Sequence, residues 1–324
     1  MSQPAIVVDS VSKNFRLYHE RNRYIKAAML RGRRAKYEEF WALKDVSFEV
    51  AHGATLGIIG SNGSGKTTML KCLTGIYRPD KGKVAINGNV AALLELGGKA
   101  PFVVLDDADL DQAAEAAAFG AFMHSGQICM STERFVVDAS VADAFCERLT
   151  AKATPLRPDT TSSAIASVVD MSTVLRCNAL IDDALAKGAT LLCGGRATST
   201  LMQPTLLDHV TPEMRIYQEE SFGPVKGIVR VQGEDEAVRC ANDNEYGLSA
   251  AVFGRDAARA LRVAQRIESG ICHVNGPTLH DEPQMHFGGV KNSGIGHFGG
   301  QSGIDAFTEL RWVTLQTTPR HYPF

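Results

Sequence analysis

The chain has 324 residues, 44% of them hydrophobic and 22% charged, with a formal net charge of −2. That composition excludes a disordered chain, and no apolar run approaches the roughly 20 residues that a membrane-spanning helix needs. The length suffices for two ordinary domains with substantial cores.

The small net charge hides a division. Residues 1–97 hold 15 basic against 8 acidic side chains, a net of +7, and the remainder holds 19 against 28, a net of −9. Two compositional regimes meet near residue 97. MSQPAIVVDS lacks a basic start followed by an apolar core, so no signal peptide is expected. Seven scattered cysteines without a C-x-x-C pair fit a reducing, cytoplasmic setting, and the nine histidines show no ligand spacing, so no metal is assigned to them.

In the basic part, Ala5–Val8 and Leu43–Val50 read as strands. Between them Arg16, Arg21, Arg23, Lys26, Arg31, Arg33, Arg34 and Lys36 crowd one stretch. It reads as a solvated helical insertion or as a surface for an anionic partner; with no interleaved base-stacking pattern it does not suggest nucleic acid. Thr55–Ile59 is an expected strand, followed by Gly60, Ser61, Asn62, Gly63, Ser64, Gly65, Lys66, Thr67 and Thr68 and then a helical run over Met69–Thr74. This satisfies G-x-x-x-x-G-K-[ST], the Walker A pattern, in its proper context. Its backbone N–H groups turn onto phosphate oxygens, Lys66 reaches the terminal phosphates, and the Thr67 hydroxyl ligates Mg²⁺.

The stretches VDSVSKNF, FWALKDVSFEV, LGIIGSNGSGKTTMLKCLTGIYRPDKGKVAINGNV and AALLELG resemble the ATP-binding subunit of ABC transporters, particularly the polysaccharide-export branch, over about residues 4–97. The resemblance implies Mg-ATP at the P-loop, with Phe15 (or Phe40 or Trp41) stacking on adenine, and a membrane permease with a membrane-peripheral location. No signature motif, Q-loop or switch histidine follows, so hydrolysis by the transporter route is not expected. Phe102–Asp107 imitates a Walker B strand but begins only 36 residues after Lys66.

From Glu95 onward strands and helices alternate. Strands are expected at Phe102–Leu105, Glu133–Val137, Thr190–Cys193, Val225–Val231, Ser249–Phe253 and Gly270–Val274. Helices are expected at Leu110–His124 (capped by Asp109), Val141–Ala153, Ser172–Lys187, Glu234–Asn242 and Asp256–Ile267. The βαβ order predicts an α/β fold with a doubly wound parallel sheet, joined to a partial P-loop subdomain. Leu310–Thr317 reads as a further strand, and Thr318–Phe324 as an extended arm. Cys129 lies in a polar loop after Gly126, 34 residues beyond Glu95. Most cysteines are small buried apolar residues, but a thiol in such a loop is placed to attack a carbonyl.

LELGGKAPFVVLDDADLDQA, GQICMSTERFVVD, EESFGPV, ANDNEYGLSAAVFGRD, FGGVKNSGIG and the ending ELRWVTLQTTPRHYPF are similar to the aldehyde dehydrogenase family, in particular its bacterial aromatic-aldehyde branch. The similarity covers about residues 93–324 and makes residues 98–324 the dehydrogenase-like domain, set against 1–97. It implies that Cys129 attacks the aldehyde, that hydride passes to NAD(P)⁺, and that Glu95 deprotonates the water that hydrolyses the thioester. It further implies that Glu220 holds the nicotinamide ribose with Phe222 nearby, and that the enzyme is a homo-oligomer. Three departures stand out: His286 and His297 at two places in the glycine-rich stretches, and Ala164–Val169 in place of a G-P-containing segment. The half of the family that cradles the pyrophosphate has no counterpart, so weak turnover is expected. Leu94-Glu95-Leu96-Gly97 suits both resemblances, the mark of a recombination or assembly fusion.

Overall fold

The computed structural model describes residues 4–18, 37–54, 56–58, 64–87, 94–95, 97–158, 165–308 and 310–322. They divide into two compact units, Met1–Leu94 and Glu95–Phe324. The basic stretch over 19–36 and the P-loop residues Gly60, Ser61, Asn62 and Gly63 lie outside the described residues.

In the first unit β1 (Ile6–Tyr18) forms the centre of an antiparallel sheet between β2 (Tyr37–Val50) and β3 (Lys81–Ile86). The β1–β2 ladder runs out to Tyr18 opposite Tyr37, well past the two short strands expected from sequence. Helix α1 (Lys66–Leu73) packs Met69, Cys72 and Leu73 against Ile6, Val8, Val11, Leu43 and Val50. The strand expected before the P-loop is not formed over residues 56–58, where Leu56 is 49% exposed. A strand is held by ladder hydrogen bonds. The sheet of this unit described over β1–β3 does not include that segment, which pairs with neither of its edge strands, β2 and β3.

The second unit is a seven-stranded sheet in the order β12-β11-β5-β6-β9-β8-β7, comprising β5 (Ala100–Val104), β6 (Thr132–Asp138), β7 (Thr190–Cys193), β8 (Thr205–Asp208), β9 (Val225–Val231), β11 (Ser249–Phe253) and β12 (Ile271–Val274). Every pairing is parallel except that of β7 with β8, and β10 (Tyr246–Gly247) pairs with β13 (Val290–Lys291) outside this sheet. Both faces are covered, which is why β5 and the middles of β6 and β9 (Phe135–Val137 and Ile228–Val229) are apolar. On one face Phe102, Val104, Phe135 and Val137 meet α2 (Leu110–Phe122) and α3 (Ala142–Ala153); Phe102 stacks on Phe253 with centroids 4.8 Å apart. On the other, Val103 and Val136 meet α4 (Met171–Ala186), α5 (Arg215–Gln218), α6 (Gly233–Asn242) and α7 (Ala257–Ala264). Asp109, Asp170 and Asp256 cap α2, α4 and α7 by accepting from first-turn N–H groups.

The Walker B look-alike is β5 and its end. Asp106 and Asp107 pair with Arg259, and Asp107 also accepts from the Asp256 N–H, so both acids tie α7 to the sheet. The expected strand over Leu310–Thr317 is absent: these residues form no ladder, and Leu310, Trp312 and Leu315 are at least 86% exposed. Their alternation is strand-like, but β-structure requires a neighbour as well as a pattern. Truncation after Phe307 is therefore expected to leave the melting temperature of the chain within about 2 °C of full length by calorimetry, since it removes almost no buried area.

Candidate active site

Cys129, Gly98 and Glu220 precede β6, β5 and β9 respectively, three adjacent strands of the sheet. Their shared location is therefore dictated by strand order and register, with Ala100 level with Thr132 and Arg134 level with Gly227. The site lies at the amino ends of the strands, opposite to the carboxyl-end crevice usual in doubly wound sheets.

Helix α2 ends in three successive left-handed residues, His124 (φ 50°), Ser125 (φ 56°) and Gly126 (φ 69°), which turn the chain back toward the sheet. Gly126 is required, because a Cβ there would lie 2.4 Å from the Gly223 carbonyl oxygen and 2.9 Å from Lys226 Nζ. The following turn is closed by Ser131 N–H donating to the Ile128 carbonyl at 2.8 Å and leaves Cys129 half-buried. The loop is clamped from one side by the unusual segment after residue 164. Ser125 Oγ donates to the Ala166 carbonyl, Gln127 Nε2 donates to Ser167 O at 3.4 Å, and Gln127 Oε1 accepts from Val169 N at 2.8 Å. All three contacts use backbone atoms of residues 166, 167 and 169, so the departure from the family's side chains leaves the clamp intact. Three other thiols stay protonated, for burial pushes Cys146 up to about 12 and Cys177 and Cys272 up to about 11.

Glu220 is half-buried, and its Oε1 accepts from Gly98 N–H at 3.1 Å. Gly98 in turn abuts the nucleophile loop: a Cβ on it would sit 2.9 Å from the Cys129 carbonyl oxygen. Two glycines in sequence, Gly97 (φ 90°) and Gly98, thus let the carboxylate and the cysteine turn approach one backbone segment. Burial first, and then the negative charge of Glu133, push the Glu220 carboxyl up to about 7. Phe222 is half-buried with φ 40°, a strained geometry for a side-chain-bearing residue.

A buried ionic cluster lies beneath this loop. Glu133 is bracketed by Lys226 Nζ at 2.6 Å and Lys99 Nζ at 3.0 Å, with all three side chains at most 2% exposed. Burial alone would push the Glu133 carboxyl up, but the two ammonium groups and hydrogen bonds from Lys226 and Ser221 reverse this and hold it at about 2. On the opposite face of the same strand Arg134 donates to the carbonyls of Tyr217, Cys240 and Asp243 while its guanidinium lies 4.0 Å from the Tyr217 ring centroid. The sequence reading missed this cluster. Its signal was present, since Glu133 and Lys226 stand at the starts of two strands whose middles are apolar, and a charge buried there needs a partner.

Of Glu95 the structure describes the backbone, in β4 (Leu94–Glu95), which pairs with β14 (Gly294–Ile295); its side chain lies outside the described residues. The other two departures answer each other, for the rings of His286 and His297 meet edge to face with centroids 5.3 Å apart.

A model of the aldehyde dehydrogenase family matches residues 83–313. The chain belongs to the aldehyde dehydrogenase family. A model of the ABC transporter family also matches, over residues 43–112, and the two matches overlap over residues 83–112. The chain is 62% identical over 235 residues to a vanillin dehydrogenase of Pseudomonas fluorescens, covering 72% of this chain and 49% of that protein. It is 50% identical over 236 residues to a salicylaldehyde dehydrogenase of Pseudomonas sp. strain C18, again 72% of this chain and 49% of the relative. The crystal structure of a salicylaldehyde dehydrogenase from Pseudomonas putida G7, complexed with salicylaldehyde, superposes with a TM-score of 0.66 at 50% identity over 71% of this chain and 49% of that one. An NADP-dependent glyceraldehyde-3-phosphate dehydrogenase from Bacillus halodurans C-125, complexed with NADP, gives 0.64 at 40% identity over 68% of this chain and 46% of that one. This aldehyde dehydrogenase chain spans about half the length of the curated relatives it matches.

In the first unit, Gly65 (φ 91°) opens α1 with no side-chain cap; a Cβ on it would clash with the Ala42 carbonyl oxygen at 2.5 Å. Lys66, Thr67 and Thr68 occupy the first turn of α1. The Phe15 ring meets Tyr77 edge-on at 5.5 Å, with Lys13 Nζ 5.7 Å from its centroid. Among the described residues no helix is long and apolar enough to cross a membrane, and no group of three or more His, Cys, Asp or Glu could hold a metal.

Proposed function

We propose that residues 98–324, with Glu95, are the acyl-transfer half of a dehydrogenase for aromatic aldehydes such as vanillin and salicylaldehyde. The observation that carries this reading is the shared backbone segment at Gly97-Gly98, onto which both Glu220 and the Cys129 turn are packed. Cys129 is the nucleophile: its sulfur forms a bond to the carbonyl carbon, and its own N–H supplies one donor to the developing oxyanion. Glu95 takes a proton from the water that cleaves the resulting thioester, releasing the carboxylic acid and restoring the thiol. NAD(P)⁺, when bound, supplies the hydride acceptor for the aldehyde reaction. Glu220, with its acceptor oxygens at the Cys129 turn, fits the ribose hydroxyls at the nicotinamide end, with Phe222 beside it. For the pyrophosphate and adenine ends the family resemblance provides no residues in this chain, so oxidation is impaired and thioester hydrolysis persists. The setting is cytoplasmic and the partners are a small aldehyde and further copies of the chain.

The test uses a substrate that needs no cofactor. With p-nitrophenyl acetate, the chain is expected to release about one equivalent of p-nitrophenolate per chain in a burst, followed by slow turnover, and Cys129→Ala to show no burst. A wild-type chain without a burst, or a Cys129→Ala chain with one, overturns the assignment.

A second reading rests on the transporter-family match and the Gly65–Lys66 helix start. Residues 1–97 would bind Mg-ATP without hydrolysing it, through Gly60–Thr68, with Thr67 on Mg²⁺ and Phe15 near adenine. Lys66→Ala is expected to weaken binding of a fluorescent ATP analogue by about 10-fold or more, the loss of one charge-assisted contact. Equal affinities reject this reading. The two family matches overlap over residues 83–112, a span that contains the shared L-E-L-G, which favours a recombination or assembly fusion as the origin of the pair.

A further inference from the structure

We propose that Glu133, Lys99 and Lys226 form a positioning cluster that sets Glu220 against the Cys129 loop, an inference that rests on the site reading above. A sheet interior filled by apolar side chains is commonly as stable as one filled by ions, so three fully buried charges call for a function beyond packing. Each of them reaches the chain on one side or the other of Glu220. Lys99 Nζ donates to the Glu219 carbonyl at 2.6 Å, fixing the residue before it. Glu133 accepts from Ser221 N–H at 2.8 Å and from Ser221 Oγ at 2.7 Å, fixing the residue after it. Lys226 Nζ lies 2.6 Å from Glu133 and 3.5 Å from Ser221 Oγ. Lys99 also follows directly on Gly98, whose N–H is the donor that Glu220 accepts. The cluster therefore holds both ends of that hydrogen bond, the loop that carries the carboxylate and the backbone that receives it.

The charges serve the same end. Within this trio two ammonium groups and one carboxylate leave one positive charge, which an ionised Glu220 balances; burial first, and then the charges of Arg134 and Lys226, push Lys99 down against the pull of Glu133. The groups that face Glu220 are Glu133, Lys99 and Lys226, and Tyr246, whose phenol is pushed up by burial and by Glu245 and Glu220. Because burial and Glu133 place the Glu220 carboxyl at about 7, its ionisation falls where the reactivity of the neighbouring thiol can report it.

The experiment follows iodoacetamide labelling of Cys129 in the full chain between pH 5 and 9, read by mass spectrometry of the peptide that contains it. Wild type is expected to show an inflection near pH 7 that Glu220→Gln removes. If Glu220→Gln leaves the profile unchanged, the site reading itself fails, whatever the cluster does. The decisive variant is Ser221→Ala, which keeps every charge and removes only one hydroxyl, and with it the contact to Glu133. Its loosened loop admits water to Glu220, and the inflection moves down by about half a unit or more. Ser221→Thr, which restores a hydroxyl, returns it toward the wild-type position. The double substitution Glu133→Gln with Lys226→Met also deletes the Glu133 charge that raises Glu220, so its profile does not discriminate. A merely structural contact lowers the melting temperature of Ser221→Ala and leaves the inflection where it was, and that outcome overturns the proposal.

Discussion

Glu133→Gln alone is expected to destabilise the dehydrogenase-like unit by about 3–5 kcal/mol, the usual cost of removing one partner from a buried ion pair. The change is nearly isosteric, so the loss is electrostatic: Lys99 and Lys226 remain in the sheet interior, at 1% and 0% exposure, without a counter-charge. Adding Lys226→Met restores the balance and fills the space with an apolar side chain, so the double variant should recover much of the loss. Urea melts of the four chains of this cycle give the coupling directly, and additive single effects would show that the pair is not coupled. Acidity supplies a second check. Glu133 is held at about 2 in the folded unit against an ordinary 4.5. The unfolded chain therefore takes up a proton that the folded unit refuses, and the stabilisation is complete above about 4.5 and gone below about 2. Glu133→Gln should flatten the fall in melting temperature across that window. Glu220 acts in the opposite sense: raised to about 7, it favours the folded unit most below 4.5 and loses that contribution as pH rises through 7.

Where the sequence was legible, the reason was local. β7, β9 and β11 match their expected bounds residue for residue, because each is a compact apolar run between polar or glycine punctuation. The cap at Asp109 follows from side-chain chemistry within one turn, whereas Asp256, expected as the first helical residue, is the cap of α7. The failures are those in which the deciding partner lies elsewhere in the chain. Residues 56–58 and the tail beyond Leu310 have strand-like composition and no strand to pair with. Thr205–Asp208 passed unnoticed because four residues carry little periodicity, yet β8 is held between β7 and β9. The site divides in the same way. Cys129 is marked by its polar loop after Gly126 as well as by the family motif, whereas Glu220 rests on the motif alone, since nothing in its immediate neighbours distinguishes it from a surface acid. The ionic cluster needed the β6–β9 register, which sets Glu133 and Lys226 side by side and which no local pattern encodes.

Glu95→Gln is expected to separate the two halves of the thioester cycle. Acylation of Cys129 needs only the thiolate and the oxyanion donors, so the burst of p-nitrophenolate should survive with an amplitude near one equivalent. Deacylation needs a base to take the proton from water, and losing a general base costs about 10²- to 10⁴-fold. The steady-state rate after the burst should fall by that factor, and intact-protein mass spectrometry should find the acetyl group resident on Cys129. A small nucleophile such as hydroxylamine, which does not require deprotonation by the protein, should discharge this acyl group in the variant as fast as in wild type. If the burst disappears with the steady state, Glu95 acts on the thiol or on the fold of β4 instead. If neither changes, the water is activated by another group. Glu220 is then the first candidate, because it is the carboxyl that the structure holds at Gly98, against the Cys129 turn, with a proton affinity suited to a base near neutral pH.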